Sequence, residues 1–483
     1  MGVSTAQINI SNLNGEFRFS VQHSIYKASL ESKLGNIHTQ PLKFFLKGSP
    51  QYGSNSAAQD FENEDDYRYI RITDIDSFGN LLMDEIRTTD IPDYDKYLLK
   101  DNDLLLARSG NTVGKSFLYK EDLHPKAVFA GYFIKFELNE DLVIPDFVFL
   151  YTKAKMFELW KKSTVRVMGQ PNINAEEYKS LPIPTLDIKI QKKIVTESSA
   201  IQVEVQKLSS KIKEPLEIIN EIFAREFKYS STLWQEFGKG MTAGTQKSNP
   251  RDLNYYQAQS NQVALSSLLR FSTRFHNPMT QILMDILEAT PTITVSEVIT
   301  EKIHRGVQPK ATLDGEVYAI KTGQLKNGYI DLSETDMVSA AFYEAKERAR
   351  TIEGDILIAS TGKVSLGKID VVDFEDDAVV DGHISIVRVN ERKYNRLFCV
   401  YFFRSILGAF QIERDYTGAT NQIELYADQI EAFLIPDISL KDQQRIVDKI
   451  KKALDERRKI EKQIEEKQNE ISKIIENAIK NSE

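Results

Sequence analysis

The clearest pattern in this chain is an apolar stripe near its C-terminus. Ile446, Ile450, Ala453, Arg457, Ile460, Ile464, Lys467, Ile471, Ile474 and Ala478 alternate spacings of four and three. That is the 3.5-residue period of a coiled-coil helix, with two polar interruptions. Ser439 is placed to cap this helix, and Asp442 three residues on completes a capping-box pattern. A second stripe, Ile190, Ile194, Ile201, Val205, Leu208, Ile212, Ile219 and Phe223, predicts another long helix. Asp187 is its expected cap, and Pro215 is expected to kink it. Each predicted helix covers about 40 residues, or about 60 Å at ~1.5 Å per residue. Elsewhere, short runs rich in Ile, Val, Leu and Tyr alternate with polar, Gly-rich turns and read as strands. Apolar helices are predicted near Phe147–Trp160 and Leu397–Phe410.

These elements occur in the same order twice. Arg18-Phe19-Ser20 returns as Arg270-Phe271-Ser272, and Tyr67 to Arg71 returns as Val317 to Lys321. Asp103-Leu104-Leu105-Leu106-Ala107-Arg108-Ser109-Gly110 returns as Asp355-Ile356-Leu357-Ile358-Ala359-Ser360-Thr361-Gly362. Ala127 to Gly131 returns as Ala378 to Gly382, and Pro184, Gln191, Ile194 and Val195 return as Pro436, Gln443, Ile446 and Val447. The offset stays between 250 and 253 residues. Chance does not hold register over two half-chains, and the period is too long for a solenoid. The chain therefore reads as one domain-plus-helix module used twice. An exposed apolar stripe must be buried, and the repeat supplies each helix with the other as its mate. The expected fold is mixed α/β: two tandem domains separated by an antiparallel coiled coil of two long helices, with an internal pseudo-two-fold repeat. The expected boundaries are 1–186, 187–228 for the central helix, 229–437, and 438–483 for the C-terminal helix.

The 483 residues include 41% hydrophobic residues, enough for sizeable cores. No apolar run reaches the ~18–20 residues of a membrane span, and Met1 to Phe19 lacks the order of a signal peptide. The one cysteine, Cys399, sits in an apolar run and reads as a core residue. A cytoplasmic protein is expected. The net charge of −8 argues against a basic DNA-coating protein, because non-specific affinity comes from neutralising phosphates. Local basic patches remain compatible with DNA binding, with partner subunits supplying part of the grip.

The catalytic motifs fall short. Gly110-Asn111-Thr112-Val113-Gly114-Lys115-Ser116 looks like a phosphate-binding P-loop but has three residues between its glycines where four are required. Its second copy, Gly362 to Ile369, has the spacing but Ile369 in place of the Mg-binding hydroxyl. Strand-like residues follow the first copy, where a P-loop opens a helix. Both read as tight turns between strands, or as loops presenting backbone amides, Arg108 and Lys115 to a DNA phosphate. The six histidines show no metal-ligand spacing, and His383 reads as structural. There is no nucleophile elbow, dinucleotide fingerprint or aminomethyltransferase tetrapeptide; Asn277-Pro278-Met279 falls short. No catalytic site, metal or bound cofactor is expected in this chain.

Taken together, these features resemble the specificity subunit of type I restriction–modification enzymes. The resemblance rests on a duplicated set: Gly169-Gln170-Pro171-Asn172-Ile173, Leu181-Pro182-Ile183-Pro184 and Gln191-Lys192-Lys193-Ile194-Val195 in the first half. The second half has Gly418-Ala419-Thr420-Asn421-Gln422-Ile423, Leu434-Ile435-Pro436 and Gln443-Gln444-Arg445-Ile446-Val447. The family usually has Glu before the helix Gln, where this chain has Ile190 and Asp442. The resemblance implies two target-recognition domains reading the halves of a split double-stranded DNA site, in a phage-defence system. It implies helices that act as a ruler and dock methyltransferase subunits, two of them. It further implies S-adenosylmethionine as the methyl donor of the complex, and ATP with Mg where a restriction subunit joins.

Reading base edges needs Arg, Lys, Asn, Gln and similar donors on loops. The first-half candidates are Lys47, Gln51, Tyr52, Asn55, Arg71, Arg108 and Lys115, with Lys161, Lys162 and Arg166 as a basic run suited to phosphates. The second-half candidates are Arg305, Gln308, Lys310, Lys321, Lys363 and Lys368. Two rival readings are a coiled-coil scaffold with protein-binding ends and a P-loop phosphotransferase. Salt dependence of DNA binding separates the first, and nucleotide titration the second. A fused methyltransferase is disfavoured because no catalytic region fits beside two modules.

Overall fold

The computed structural model describes residues 21–481 except 36, 61–65, 77, 83–85, 92, 166–170, 242–245, 249–252, 258–271, 313, 334, 420 and 421. Arg18-Phe19-Ser20, Arg270-Phe271, Arg166, Gly169, Gln170, Thr420 and Asn421 therefore lie outside the described residues. The chain divides into two compact units, Met1–Ile212 with Arg458–Glu483, and Lys213–Arg457.

The first unit begins with α1 (Val21–Leu34), β1 (Thr39–Pro41), β2 (Gln51–Tyr52), β3 (Ala58–Asp60), β4 (Arg68–Ile70) and β5 (Arg87–Thr89). It continues through α2 (Tyr94–Tyr97), β6 (Leu104–Ala107), β7 (Ser116–Leu118), β8 (Ala127–Phe129) and β9 (Phe133–Phe136). Then come α3 (Pro145–Tyr151), α4 (Lys155–Thr164), α5 (Ala175–Lys179), β10 (Pro182–Pro184) and α6 (Ile188–Ser209). The main sheet has the antiparallel order β2-β9-β6-β7, and β4 pairs parallel with β8. The sequence of β6, Leu-Leu-Leu-Ala, does not alternate because both its faces are covered. Leu104 and Leu106 join a core with α3 and α4, while Leu105 and Ala107 pack with Ile70, Phe117, Phe129 and Phe133.

The second unit opens with α7 (Pro215–Phe227), α8 (Leu233–Gly238), β11 (Gln246–Ser248), β12 (Leu253–Tyr255) and α9 (Pro278–Glu288). Next are β13 (Thr292–Thr294), β14 (His304–Arg305), β15 (Val317–Ile320), β16 (Asp336–Val338), α10 (Ala340–Ala345) and β17 (Arg350–Thr351). They lead to β18 (Ile356–Ala359), β19 (Ile369–Val371), β20 (Ala378–Val380) and β21 (Ile384–Val387). The unit ends with α11 (Arg396–Arg404), α12 (Ile406–Asp415), β22 (Thr417–Ala419), β23 (Gln422–Glu424), α13 (Ala427–Glu431), β24 (Leu434–Pro436) and the start of α14 (Leu440–Lys480). Its main sheet, β14-β21-β18-β19, reproduces the first unit's strand for strand. The parallel pair β15–β20 matches β4–β8, and β13–β24 matches β1–β10. Ile356 and Ile358 of β18 again face one core, and Leu357 and Ala359 the other. The repeat read from the sequence is thus a repeat of topology.

The expected apolar helices are each split in two. Ser405 is extended between α11 and α12, and Asn220 of α7 accepts the freed Ile406 N–H at 2.8 Å. The expected central helix is also two helices. Pro215 cannot continue α6 because it lacks an N–H and clashes with the preceding turn, so it opens α7 instead. Asp187 caps α6 through Lys189 N–H, and Ser439 caps α14 through Asp442 N–H. Within the first unit, Glu204 of α6 pairs with Lys467 at 3.0 Å, and Ile194 shares a core with Ile471, Ile475 and Ile479. Within the second, Arg457 reaches the Lys213 carbonyl while Arg445 and Lys449 hold Glu226. In both units the pairing with α14 is antiparallel. The seam drifts near its end: Ile475 and Ile479 are buried, and the predicted Ile474 and Ala478 lie at the core's edge. A straight helix turns once per ~3.6 residues, so a 3.5-residue stripe rotates away along it. No helix among the described residues is long and apolar enough to cross a membrane.

One motif acquires a structural reason. Gln191 of α6 is buried; its side-chain oxygen accepts Ile144 N–H at 2.8 Å and its nitrogen donates to Leu186 C=O at 2.8 Å. Gln443 repeats this with Asn395 N–H at 2.7 Å and Ile438 C=O at 2.8 Å. Each glutamine ties the start of a long helix to the start of the apolar helix, satisfying backbone groups that helix ends leave open.

Candidate nucleic-acid interface

Two separate sequence motifs meet in each unit. The Gly-rich turn after β6 lies against Pro171–Ile173: Gly110 N–H donates to Pro171 C=O at 2.9 Å, and Ile173 N–H to Arg108 C=O at 2.9 Å. In the second unit Gly362 N–H donates to Ile423 C=O at 3.1 Å, and Leu425 N–H to Ser360 C=O at 2.9 Å. The turns are strand-to-strand, β6 to β7 and β18 to β19, so neither opens a phosphate-binding helix. A third strand closes on this place through a glycine. A Cβ on Gly53 would strike the backbone of Phe129 and Ala130, and one on Gly306 the backbone of Val380.

Around this junction the first unit has a cleft of about 470 Å³ lined by Ser54, Asn55, Tyr69, Arg71, Thr73, Arg108, Gly131 and Tyr132, among others. Three expected residues, Asn55, Arg71 and Arg108, come together here. Arg71 holds the buried Asp74 through Nε and Nη2, the latter at 2.6 Å, so its charge is balanced within the fold. Arg108 donates from Nε to Gly131 C=O at 3.0 Å, and its guanidinium lies 5.1 Å from the Tyr52 ring centre. Tyr52 is anchored in turn by accepting Ala175 N–H at 3.2 Å. Tyr132, 57% exposed, forms the rim. It was not singled out from the sequence, although it directly follows Gly131 of the repeat.

The other described first-unit candidates each have a contact within the fold. Lys115 donates to the carbonyls of Ile72 and Ile75 at 3.3 and 2.7 Å, and burial pushes its ammonium down. Gln51 donates to Lys96 C=O, and Lys47 lies 3.5 Å from Glu140. Lys161 pairs with Glu158 at 2.6 Å and covers Gly114, while Lys162 lies 5.3 Å over Tyr26. Arg166 is outside the described residues.

The second unit fills the equivalent places differently. Ser360 replaces Arg108 and is turned inward to Ser385 at 2.6 Å. His383 replaces Tyr132 and meets Thr361 at 2.6 Å. Arg305, in the place of Tyr52, donates to Leu425 C=O at 3.0 Å, lies 5.4 Å over Tyr426 and is 3.6 Å from Glu424. Lys321 pairs with Asp336, and its backbone N–H with Gln324. Lys368 is half-buried in the turn, whereas Gln308, Lys310 and Lys363 are exposed. Cys399 is buried, and burial pushes its thiol up. No group of three or more His, Cys, Asp or Glu side chains among the described residues is placed to hold a metal.

The family model of the type I restriction modification DNA specificity domain matches residues 51–217, from β2 into the start of α7. The structure is also similar to a type I restriction–modification S subunit from M. genitalium, at 14% identity over 92% of this chain and 96% of that one, with a TM-score of 0.38. An HsdS subunit from Thermoanaerobacter tengcongensis is similar at 12% identity over 92% and 97% of the two chains, with a TM-score of 0.31. No curated protein sequence matches the chain. The family model covers part of the chain only, and the second unit repeats the topology of the matched region.

Proposed function

We propose that this chain is a DNA-recognition subunit of a type I restriction–modification system, whose specificity-domain model matches residues 51–217, and that its two modules each read one half of a split target. The observation that carries this reading is the duplicated junction of a Gly-rich turn with the Pro171–Ile173 and Gln422–Glu424 segments, lined differently in the two copies. Two readers of one fold with different linings suit two different half-sites. A dimer reaches fixed spacing by symmetry and needs matching half-sites; duplication within one chain removes that constraint.

In this proposal the chain has no catalytic step of its own. α6, α7 and α14 set the distance between half-sites and dock two methyltransferase subunits, which bring S-adenosylmethionine. A restriction subunit, where present, brings ATP and Mg. The modules correspond to residues 1–186 and 229–437, and the complex works in the cytoplasm on double-stranded DNA.

Exchange of residues 1–186 for those of another family member tests the reading. The chain is produced with its methyltransferase partner, and methylated adenines are mapped in cellular DNA. One half-site should change and the other persist. A change in both half-sites, or methylation without a split motif, overturns it.

A further inference from the structure

The cleft of the first unit contains an arginine prepared on two sides and open on the third. Tyr52 lies against the Arg108 guanidinium, and Gly131 C=O takes its Nε–H. Among the described residues no carboxylate pairs with it, and Nη1 and Nη2 make no hydrogen bond. The neighbouring Arg71 is different, because Asp74 occupies its fork. Such a fork, with its backbone-side nitrogen already committed, leaves two parallel N–H donors at fixed separation. In the major groove the partner with two acceptors on one edge is guanine, through O6 and N7. A phosphate can take the same two donors, and the two contacts differ in their dependence on the base and on salt.

We infer that Arg108 reads a guanine in the half-site of the first module, with Tyr52 and the Gly131 carbonyl as its positioning groups. The second module lacks this reader: Ser360 stands in its place, and Arg305 is occupied by Leu425 C=O and Glu424. Ordering the guanidinium before DNA arrives removes part of the entropy cost of binding, which sharpens discrimination. This inference rests on the DNA-recognition reading above.

The test uses the chain assembled with its methyltransferase partner. The wild-type motif should contain a G·C pair in the half-site assigned to the first module by domain exchange. Arg108→Ala should make that one position degenerate, lowering discrimination about ten- to a hundred-fold, with the other half-site and the gap unchanged. Arg108→Lys keeps the charge and loses the fork, so it should also relax the position. As a check that needs no variant, 7-deazaguanine at that position removes N7 and should weaken wild-type binding. Deoxyinosine keeps O6 and N7 and should not. Absence of a G·C pair from that half-site overturns the assignment. So does an even loss of affinity across all bases in Arg108→Ala, with the salt slope reduced by about 0.9, because that marks a phosphate contact. Failure of the wild-type complex to methylate any split motif would instead sink the underlying functional reading.

Discussion

Lys33 of α1 and Glu476 of α14, 443 positions apart in the chain, form a 2.7 Å ion pair. Both side chains are partly exposed, so the pair itself contributes at most about 1 kcal/mol. Its meaning is topological. The last helix ends in the unit that the N-terminal half of the chain builds, where Ile471, Ile475 and Ile479 complete the core.

A circular permutant is therefore expected to fold. Joining Glu483 to Met1 and reopening the chain near Gly244 should preserve the thermal transition and the methylated motif of the complex. An unfolded permutant, judged by circular dichroism, would count against a circular arrangement of modules.

The paired glutamines predict matched losses. Gln191→Ala leaves the Ile144 N–H and Leu186 C=O without their partner, and Gln443→Ala does the same to Asn395 and Ile438. Each substitution should lower unfolding free energy by about 2–4 kcal/mol in denaturant titration. A loss below about 0.5 kcal/mol in either would show that the tie is not structural.

Glycines of the junction should differ sharply in tolerance. Gly306→Ala drives a Cβ into the Val380 backbone and should abolish folding of the second module. Gly362→Ala meets open space and carries the cost of its φ of +85°, about 1 kcal/mol. Limited proteolysis of both variants gives the comparison. Equal resistance would contradict the close approach.

Glu226 supplies a pH test. Burial pushes its carboxyl up, and hydrogen bonds from Lys449 and Arg445 with their charges more than reverse this, leaving it below its ordinary value. A depressed folded pKa gives stability that is present above the unfolded value, ~4.3, and lost as pH falls through the folded one. Glu226→Gln should thus destabilise the protein by about 1 kcal/mol at pH 7. The gap to wild type should narrow in unfolding curves below pH 4, taken as about the unfolded value. A gap independent of pH would assign the effect to packing.

The helices can be shortened as a pair. Removing residues 201–207 together with 460–466 takes out two turns around the Glu204–Lys467 pair and keeps apolar positions facing one another. Seven residues span about 10.5 Å, which is about three base pairs at ~3.4 Å each. The half-sites should persist while the gap between them shrinks by up to about three base pairs, since DNA bending absorbs part of the change. Removal of three or five residues should destroy the seam. A folded, active seven-residue variant with an unchanged gap shows that the helices are not the ruler.

Local patterns determined much of this protein from sequence alone. The duplicated order of elements, the caps at Asp187 and Ser439, a disturbance at Pro215 (expected as a kink, found as a break), the strand-to-strand glycine turns and the burial of Cys399 all depend on residues close in the chain. The tertiary structure decided which polar side chains found partners within the fold. Lys115 and Arg108 look alike in the sequence, yet one ammonium is held by Ile72 and Ile75 while the other residue keeps its fork open toward a cleft. The difference comes from partners tens of residues away: Tyr52, Gly131 and the Pro171–Ile173 segment. Periodicity tells which face of a segment avoids water, but a hydrogen bond depends on a donor and an acceptor meeting within about 3 Å, and that meeting is made only when the chain has folded.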